Sequence, residues 1–401
     1  MKIKMMAACS LALASLLGTL PAQAKGKKVS PVITDNVEFA AKQVQLMVDT
    51  MDTFDKIRSP RTTDKNGRLA FTTLDDWTSG FFPGTLWYLY ELTGDSKWLK
   101  PAVHYTEGME RIKYYRGNHD IGFMIFCSFG NGLRLTDKQS YKDVIVTAAK
   151  TLSERYRPGA GVIQSWPQWR GWDCPVIIDN MMNLELLFEA TRMSGDSSFW
   201  KIAVSHADQT MKNHYRPDMS CYHVVDYDAK TGAIRSRVTH QGYADESAWA
   251  RGQAWGLYGY TMCYRYTHDP KYLKQAEAIA KFIFTNETLP EDLVPYWDYD
   301  VPNIEQEPRD ASAAAITASA LYELSTYAGK KQGKEYKKLA DRIVETLGSP
   351  AYRAKLGENG YFILMHSTGN KPGPSEVDVP LVYADYYFLE ALKRKRDLES
   401  K

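Results

Sequence analysis

The ten residues CPVIIDNMMN, Cys174 to Asn183, set one carboxylate, Asp179, between an apolar run and a helix start, with two amide side chains and a methionine pair directly after it. A carboxylate in that setting is either a helix cap or an acid in an apolar pocket, where burial raises its pKa toward the range useful for donating a proton. Five further acids stand at comparable helix starts: Asp76, Asp120, Glu246, Asp310 and Asp378. Asp and Glu at such positions are ordinary caps, each stabilising by about 0.5–2 kcal/mol and favoured by the helix dipole. Chemistry has to be argued from their neighbours.

Those neighbours are aromatic. Trp77, Phe81 and Phe82 lie at the first start, Trp166, Trp169 and Trp172 precede Asp179, Trp249 and Trp255 follow Glu246, and Tyr296 and Trp297 precede Asp310. Aromatic faces stack on sugar rings, whereas a core stripe would recur at helical spacing through the helix body. Ser247, Arg251 and Trp255 are spaced i, i+4, i+8 and so share a helix face. An arginine there suits either paired hydrogen bonds to an anionic substrate or a salt bridge to one of the acids. His223, His240 and Gln241 lie in the connection leading to that helix and can reach the same mouth. The histidines are scattered and no HExxH spacing occurs, so no metal site is expected. Gly159 and Gly161 begin a GxG, but Gln164 takes the last glycine's place and no nucleotide loop follows.

The elements that position these residues are announced by a weak internal repeat. The segments LTGDSKWLKPAVHY from Leu92, LTDKQSYKDVIVTAA from Leu135, MSGDSSFWKIAVSHA from Met193 and YTHDPKYLKQAEAIA from Tyr266 share a turn with Asp, then an aromatic, then a helical apolar period. A fifth copy, AGKKQGKEYKKLADRIV from Ala328, is more degenerate. Each predicts a short turn between antiparallel helices, the aspartate or its neighbour capping the second. A more aromatic, more buried helix precedes each turn, and an amphipathic helix over roughly 36–55 completes six pairs. The fold expected is all-α, an (α/α)6 barrel of six helical hairpins, with small β-hairpins from CYHVVDYD and GYFILMH at its rim. Alternating outer and inner helices make the inner ones parallel, so their N-terminal ends, and the six acids, converge on one mouth.

Composition narrows the function classes. Lys2 and Lys4, the apolar run from Met5 to Leu20 and the triplet Ala22-Gln23-Ala24 read as a secretory signal over residues 1–24, leaving one domain over 25–401. Export, to the periplasm of a bacterium, is the expectation, and Cys9 lies too early for a lipid anchor. Cleavage removes Lys2 and Lys4 and no acids, so the formal charge of +2 falls to zero. That balance argues against a nucleic-acid or membrane-surface partner, and no later run is apolar enough to span a membrane. Cys127, Cys174, Cys221 and Cys263 form no CxxC pair and are expected as isolated buried thiols.

The segments NHDIGFM around Asp120, VIIDNMMNLELLF around Asp179, DESAWARGQAWGLYG around Arg251 and SEVDVPLVYADYYFLEAL near the C-terminus resemble, in order, the unsaturated glucuronyl hydrolases of glycoside hydrolase family 88. The resemblance implies the same (α/α)6 barrel, no cofactor, and a lyase-generated oligosaccharide with a 4,5-unsaturated uronic acid at its non-reducing end as substrate. It implies hydration of the C4=C5 double bond, with Asp179 protonating C4 and assisting water at C5, so that the carboxylate-separation rule for ordinary glycosidases does not apply. Asp120 matches the second essential aspartate. His223, Gln241, Arg251 and Trp255 match positions that hold the uronate or its water. Trp77 and Trp166 match the stacking tryptophans, with Trp169 and Trp172 competing for the latter role. Arg235, Arg237 and the HSTGNK loop around Ser367 are candidate sulfate contacts. A related unsaturated rhamnogalacturonyl hydrolase and a non-catalytic oligosaccharide-binding barrel are the alternatives; the NHDIGFM acid disfavours the first, and the presence of both motif acids the second.

Overall fold

The computed structural model describes residues 29–401. The secretory reading of 1–24, with Cys9, lies outside those residues. Outer helices α1 (Pro31–Met51), α3 (Leu99–Glu107), α6 (Ser140–Ser153), α8 (Ser197–Asn213), α10 (Pro270–Thr285) and α12 (Lys330–Leu347) alternate along the chain with inner helices. The inner set is α2 (Phe81–Thr93), the interrupted pair α4 (Ile121–Ile125) and α5 (Asn131–Thr136), α7 (Leu184–Ser194), α9 (Ala250–Thr267), α11 (Ala311–Leu324) and α13 (Val382–Ser400). A π-helical turn over Phe126–Gly130 joins α4 to α5. Each inner helix packs on the next, and α13 returns to α2, closing the (α/α)6 barrel.

Sequence explains the two layers. Outer α12 buries Tyr336, Ala340, Ile343, Val344 and Leu347 along one stripe and leaves its lysines outside. Inner α11, ASAAAITASALYEL, is buried on nearly every residue, and its alanines and serines allow close approach by α9 and α13. Three of the repeated turn aspartates cap the helix that follows: Asp95 accepts from Lys97 N at 2.9 Å, Asp196 from Ser198 N at 2.8 Å and Asp269 from Lys271 N at 3.0 Å. Asp137 departs from the pattern, ending α5 in the left-handed region at φ 52°. The first helix begins at Pro31, ahead of the predicted Asn36, because proline's fixed φ suits the first helical turn.

Strands stay at the rim. β1 (Ser59–Thr63) pairs antiparallel with β2 (Leu69–Thr72), and β3 (Tyr156–Arg157) with β4 (Val162–Ile163). β5 (Cys174–Ile177), β6 (Val224–Tyr227) and β7 (Ile234–Val238) form an antiparallel sheet in the order β5-β6-β7. CYHVVDYD therefore supplies a central strand, whereas GYFILMH forms a 3-10 turn over Asn359–Tyr361 and an isolated bridge between Leu364 and Arg353. The backbone amides of Ile363 and Leu364 are instead taken up by the buried Asp385 carboxylate at 2.8 and 2.9 Å. Among the described residues no helix is long and apolar enough to cross a membrane. Cys127, Cys174, Cys221 and Cys263 are buried free thiols.

Candidate active site

Two of the six acids at the predicted helix starts never reach the mouth. Helix α9 begins at Ala250 and α13 at Val382, leaving Glu246 and Asp378 exposed in the connections ahead of them; Asp378 pairs with His366 at 2.7 Å. Asp310 is a true cap of α11, accepting from Ser312 N at 3.1 Å. Asp76 caps the turn before α2 through Thr78 N at 2.9 Å. Asp120 stands at the N-terminus of α4 and Asp179 in a 3-10 turn over Ile178–Asn183, and neither side chain makes a capping bond. Both are therefore unspent on local structure.

Asp120 and Asp179 line one cavity of about 220 Å³, together with Trp77, Trp166, Gln241 and Arg251. Asp179 is 7 % exposed, and its Oδ2 has no hydrogen-bond partner within the chain. Burial raises its pKa from 3.8 to about 6, against the opposing pull of the Arg251 charge and the Trp255 indole. Burial also raises Asp120, and the nearby charges of Asp179 and Asp76 raise it further, well above the ordinary carboxylate range. The repulsion between the two carboxyls falls on Asp120, because Asp179 has the arginine beside it.

Beneath Asp179 lies His223. Its Nδ1 accepts the backbone N–H groups of His240 and Gln241, both at 3.0 Å, which places the ring proton on Nε2. Nε2 stands 3.7 Å from Asp179 Oδ2, and burial pushes the imidazole pKa well below 6.5, so the ring is neutral. Trp255 is wholly enclosed, its ring packed on Phe123 and Tyr387 at 5.3 and 5.5 Å. His223 and Trp255 thus form a layer behind the acid instead of part of the cavity wall, and Ser247 lies before α9 begins, bound to Asp298 at 2.7 Å.

Arg251 is 1 % exposed, and its two terminal nitrogens are engaged from within while Nε has no partner in the chain. Arg251 donates to Asp310 Oδ2 at 2.8 Å and to the carbonyls of Thr368 and Gly369, both at 2.5 Å. Gln241 Nε2 grips the same Gly369 carbonyl at 3.0 Å. Both residues border the cavity and also hold the 366–370 loop against it. Of the sulfate candidates, Arg235 pairs with Asp226 at 3.1 Å, Arg237 donates to Asn213 O at 3.0 Å, and Lys371 is engaged by Glu307.

Across the cavity Trp77 packs against Tyr383 with ring centroids 4.9 Å apart. Trp166 forms another part of the wall, edge-on to His240 at 5.5 Å, while Trp169 and Trp172 sit outside on a turn. Arg61, Asn118, Glu376 and Tyr383 also line the cavity, and none was singled out from sequence. Arg61 bridges Asp76 at 2.5 Å and Glu376 at 2.5 Å, tying the β1-β2 hairpin to the C-terminal loop. Three of the four lie inside the sequence motifs, Asn118 in NHDIGFM and Glu376 and Tyr383 in the C-terminal segment, and Arg61 lies outside them. Among the described residues no cluster of His, Cys, Asp and Glu is arranged to hold a metal ion.

The profile of Glycosyl Hydrolase Family 88 matches residues 47–263. The chain is 55% identical over 325 residues, 80% of each sequence, to an unsaturated glucuronyl hydrolase of Formosa agariphila. The chain belongs to glycosyl hydrolase family 88. It is a glycosidase. Its backbone superposes on the crystal structure of an unsaturated glucuronyl hydrolase specific for heparin with a TM-score of 0.89, at 45% identity, over 92% of this chain and 98% of the other. The enzyme of Bacillus sp. GL1, responsible for the degradation of glycosaminoglycan, superposes at 0.82 and 30% identity over 90% and 95%. Both superpositions cover nine-tenths or more of this chain, so those enzymes and this one share the (α/α)6 barrel.

Proposed function

We propose that this family 88 enzyme removes a 4,5-unsaturated uronic acid from the non-reducing end of lyase-generated oligosaccharides, with Asp179 as the acid. The observation that carries this reading is the state of that carboxyl: buried in the cavity it shares with Asp120, free of capping bonds, and shifted to about 6. A group with that pKa is protonated often enough near neutrality to give up its proton and basic enough to take one back.

The substrate's C4=C5 bond is a vinyl ether through the ring oxygen. Proton transfer from Asp179 to C4 leaves positive charge shared between C5 and the ring oxygen. Water then adds to C5 and returns its proton to Asp179. The resulting hemiketal opens to a ketone at C5, leaving C1 as a hemiacetal that expels the hydroxyl of the next sugar. Asp120, kept neutral by burial and by its acidic neighbours, serves as a donor to a substrate hydroxyl and adds no second negative charge beside Asp179. The neutral His223, with its proton on Nε2, supports the Asp179 carboxylate as it forms. Trp77 and Trp166 supply the apolar faces on which sugar rings stack.

Glycosaminoglycan-derived disaccharides are the first substrates to test, since relatives include unsaturated chondroitin disaccharide hydrolases of Streptococcus pyogenes and other streptococci. Residues 1–24 support export, and with it a periplasmic place of action. The test is to incubate the protein with lyase-generated disaccharides of chondroitin, hyaluronan and heparin and follow the ultraviolet absorbance of the conjugated double bond. Loss of absorbance with wild type and none with Asp179→Asn is expected; binding without loss for every uronate would overturn the enzyme reading.

A further inference from the structure

The turn Trp169-Arg170-Gly171-Trp172 stands outside the catalytic cavity and is built for exposure. Trp169 and Trp172 pair across it as an isolated antiparallel bridge, with Trp172 N donating to Trp169 O at 2.9 Å. Both central residues lie in the left-handed region, Arg170 at φ 53° and Gly171 at φ 78°. Glycine adopts that conformation readily, but for arginine it is costly, and asparagine would serve such a hairpin better. An arginine kept there is explained by its side chain. The guanidinium lies 4.3 Å from the Trp169 ring centroid and 6.0 Å from that of Trp172, and among the described residues no carboxylate pairs with it.

The aromatic surface around it is continuous with the catalytic cavity. A second cavity of about 450 Å³ is lined by Trp166, Pro167, Gln168, Trp169 and His240, and Trp166 and His240 line the catalytic cavity as well. Trp169 is 44 % exposed, one of four large apolar side chains so placed among the described residues. The base of the turn is rigid: Gln168 Nε2 donates to Asp173 Oδ1 at 2.8 Å, and Asp173 Oδ2 accepts Ala229 N at 2.9 Å. A fixed, exposed tryptophan with a cation on its face matches a sugar ring that bears an anionic group.

Resting on the hydrolase reading above, we infer that Trp169 and Arg170 form a further subsite, beyond Trp166, for an anionic sugar of the leaving oligosaccharide. In a chain where uronate and hexosamine alternate, the second sugar past the cleaved bond is a uronate, and its carboxylate meets Arg170. The enzyme is then selective for length: a tetrasaccharide reaches this subsite and a disaccharide does not.

The test compares kcat/KM for an unsulfated unsaturated hyaluronan disaccharide and tetrasaccharide, in wild type, Trp169→Ala and Arg170→Asn. The asparagine variant suits the turn and removes only the charge, and Trp169 is exposed enough for its loss to leave the fold intact. Wild type should favour the tetrasaccharide about five- to tenfold. Either variant should erase most of that preference while leaving disaccharide turnover unchanged, and the Arg170 contribution should shrink at high salt. A further gain with a tetrasaccharide sulfated on its third sugar would add sulfate to the groups accepted. Equal kcat/KM for the two lengths in wild type, or variants that slow the disaccharide as much as the tetrasaccharide, would overturn the subsite and leave the hydrolase reading standing. No turnover of either length would overturn both.

Discussion

The side-chain oxygen of Asn183 accepts the backbone N–H of Phe123 at 2.9 Å, joining the turn that carries Asp179 to the helix that begins at Asp120. Asn183 is itself fully buried, and its side chain therefore links the Asp179 turn to the start of the Asp120 helix through the Phe123 amide. The approach requires Gly122, where a Cβ would fall 2.5 Å from the Asn183 oxygen.

Asn183→Ala strands the Phe123 amide in the core, a loss of about 1–3 kcal/mol in stability. Misplacing the two acids by a fraction of an ångström costs turnover on the order of tenfold to a hundredfold. The readouts are thermal unfolding and kcat, and a pH-rate profile separates positioning from simple destabilisation. A displaced pair shifts the alkaline limb, whereas a merely less stable enzyme keeps it. An Asn183→Ala enzyme with normal kcat at a temperature where it is folded would rule out the positioning role.

Turnover should decline as pH rises through about 6, because Asp179 must be protonated to act and its pKa is about 6. Asp120 remains neutral across the same range, held well above the ordinary value by burial first and by Asp179 second. Replacing it with asparagine therefore leaves the limb near its wild-type position while kcat falls, since Asn offers a donor in altered geometry. The profile of kcat for wild type and Asp120→Asn measures this; a limb near 4 in either enzyme would show that the buried state of Asp179 is not the working one.

The same raised pKa has a consequence for stability. A carboxyl whose folded pKa exceeds its unfolded value favours folding while protonated, and that advantage is lost as pH rises from about 4 through about 6. Asp179→Asn removes the penalty of holding a buried charge. It should stabilise the protein by about 3 kcal/mol above pH 7, from the shift between 3.8 and about 6, and by little below about pH 4. Denaturant unfolding at the two pH values measures the difference. A gain that is the same at both would place its origin elsewhere.

What could be read from the chain divides along sequence distance. Helix starts and aromatics lie within a few positions of one another and so marked six acids and their tryptophans, but it was the resemblance to family 88 that singled out Asp179, Asp120, Trp77 and Trp166 among them. Arg61 and Glu376 are 315 positions apart and meet only when the barrel closes, so no local pattern announces their pairing, although Glu376 stands in the C-terminal motif. Glu246 and Asp378 were misplaced for the opposite reason: acids and aromatics cluster there, yet α9 and α13 start four residues later. The helix-face argument for Ser247, Arg251 and Trp255 failed at Ser247 on that same boundary. It held for Arg251 and Trp255 as neighbours, but their burial comes from packing against α11, α13 and the 366–370 loop, which spacing within α9 does not reveal.

Arg251 is the residue for which the two readings from sequence, substrate anchor and structural salt bridge, make different predictions. Its bond to Asp310 and its grip on the carbonyls of Thr368 and Gly369 are made entirely within the protein. Arg251→Ala would leave Asp310 as a buried charge without its partner, a cost of about 3–5 kcal/mol. Arg251→Lys keeps a charge for Asp310 but lacks the planar fork that spans two carbonyls at once, so the loop bearing Gly369 loosens. The lysine variant should therefore regain most of the stability while its KM for unsaturated disaccharide stays raised by about tenfold. Thermal unfolding and steady-state kinetics on the two variants decide the matter. If lysine restored KM together with stability, charge alone would be sufficient, and the shaping of the cavity wall through Gly369 would carry no weight in substrate binding.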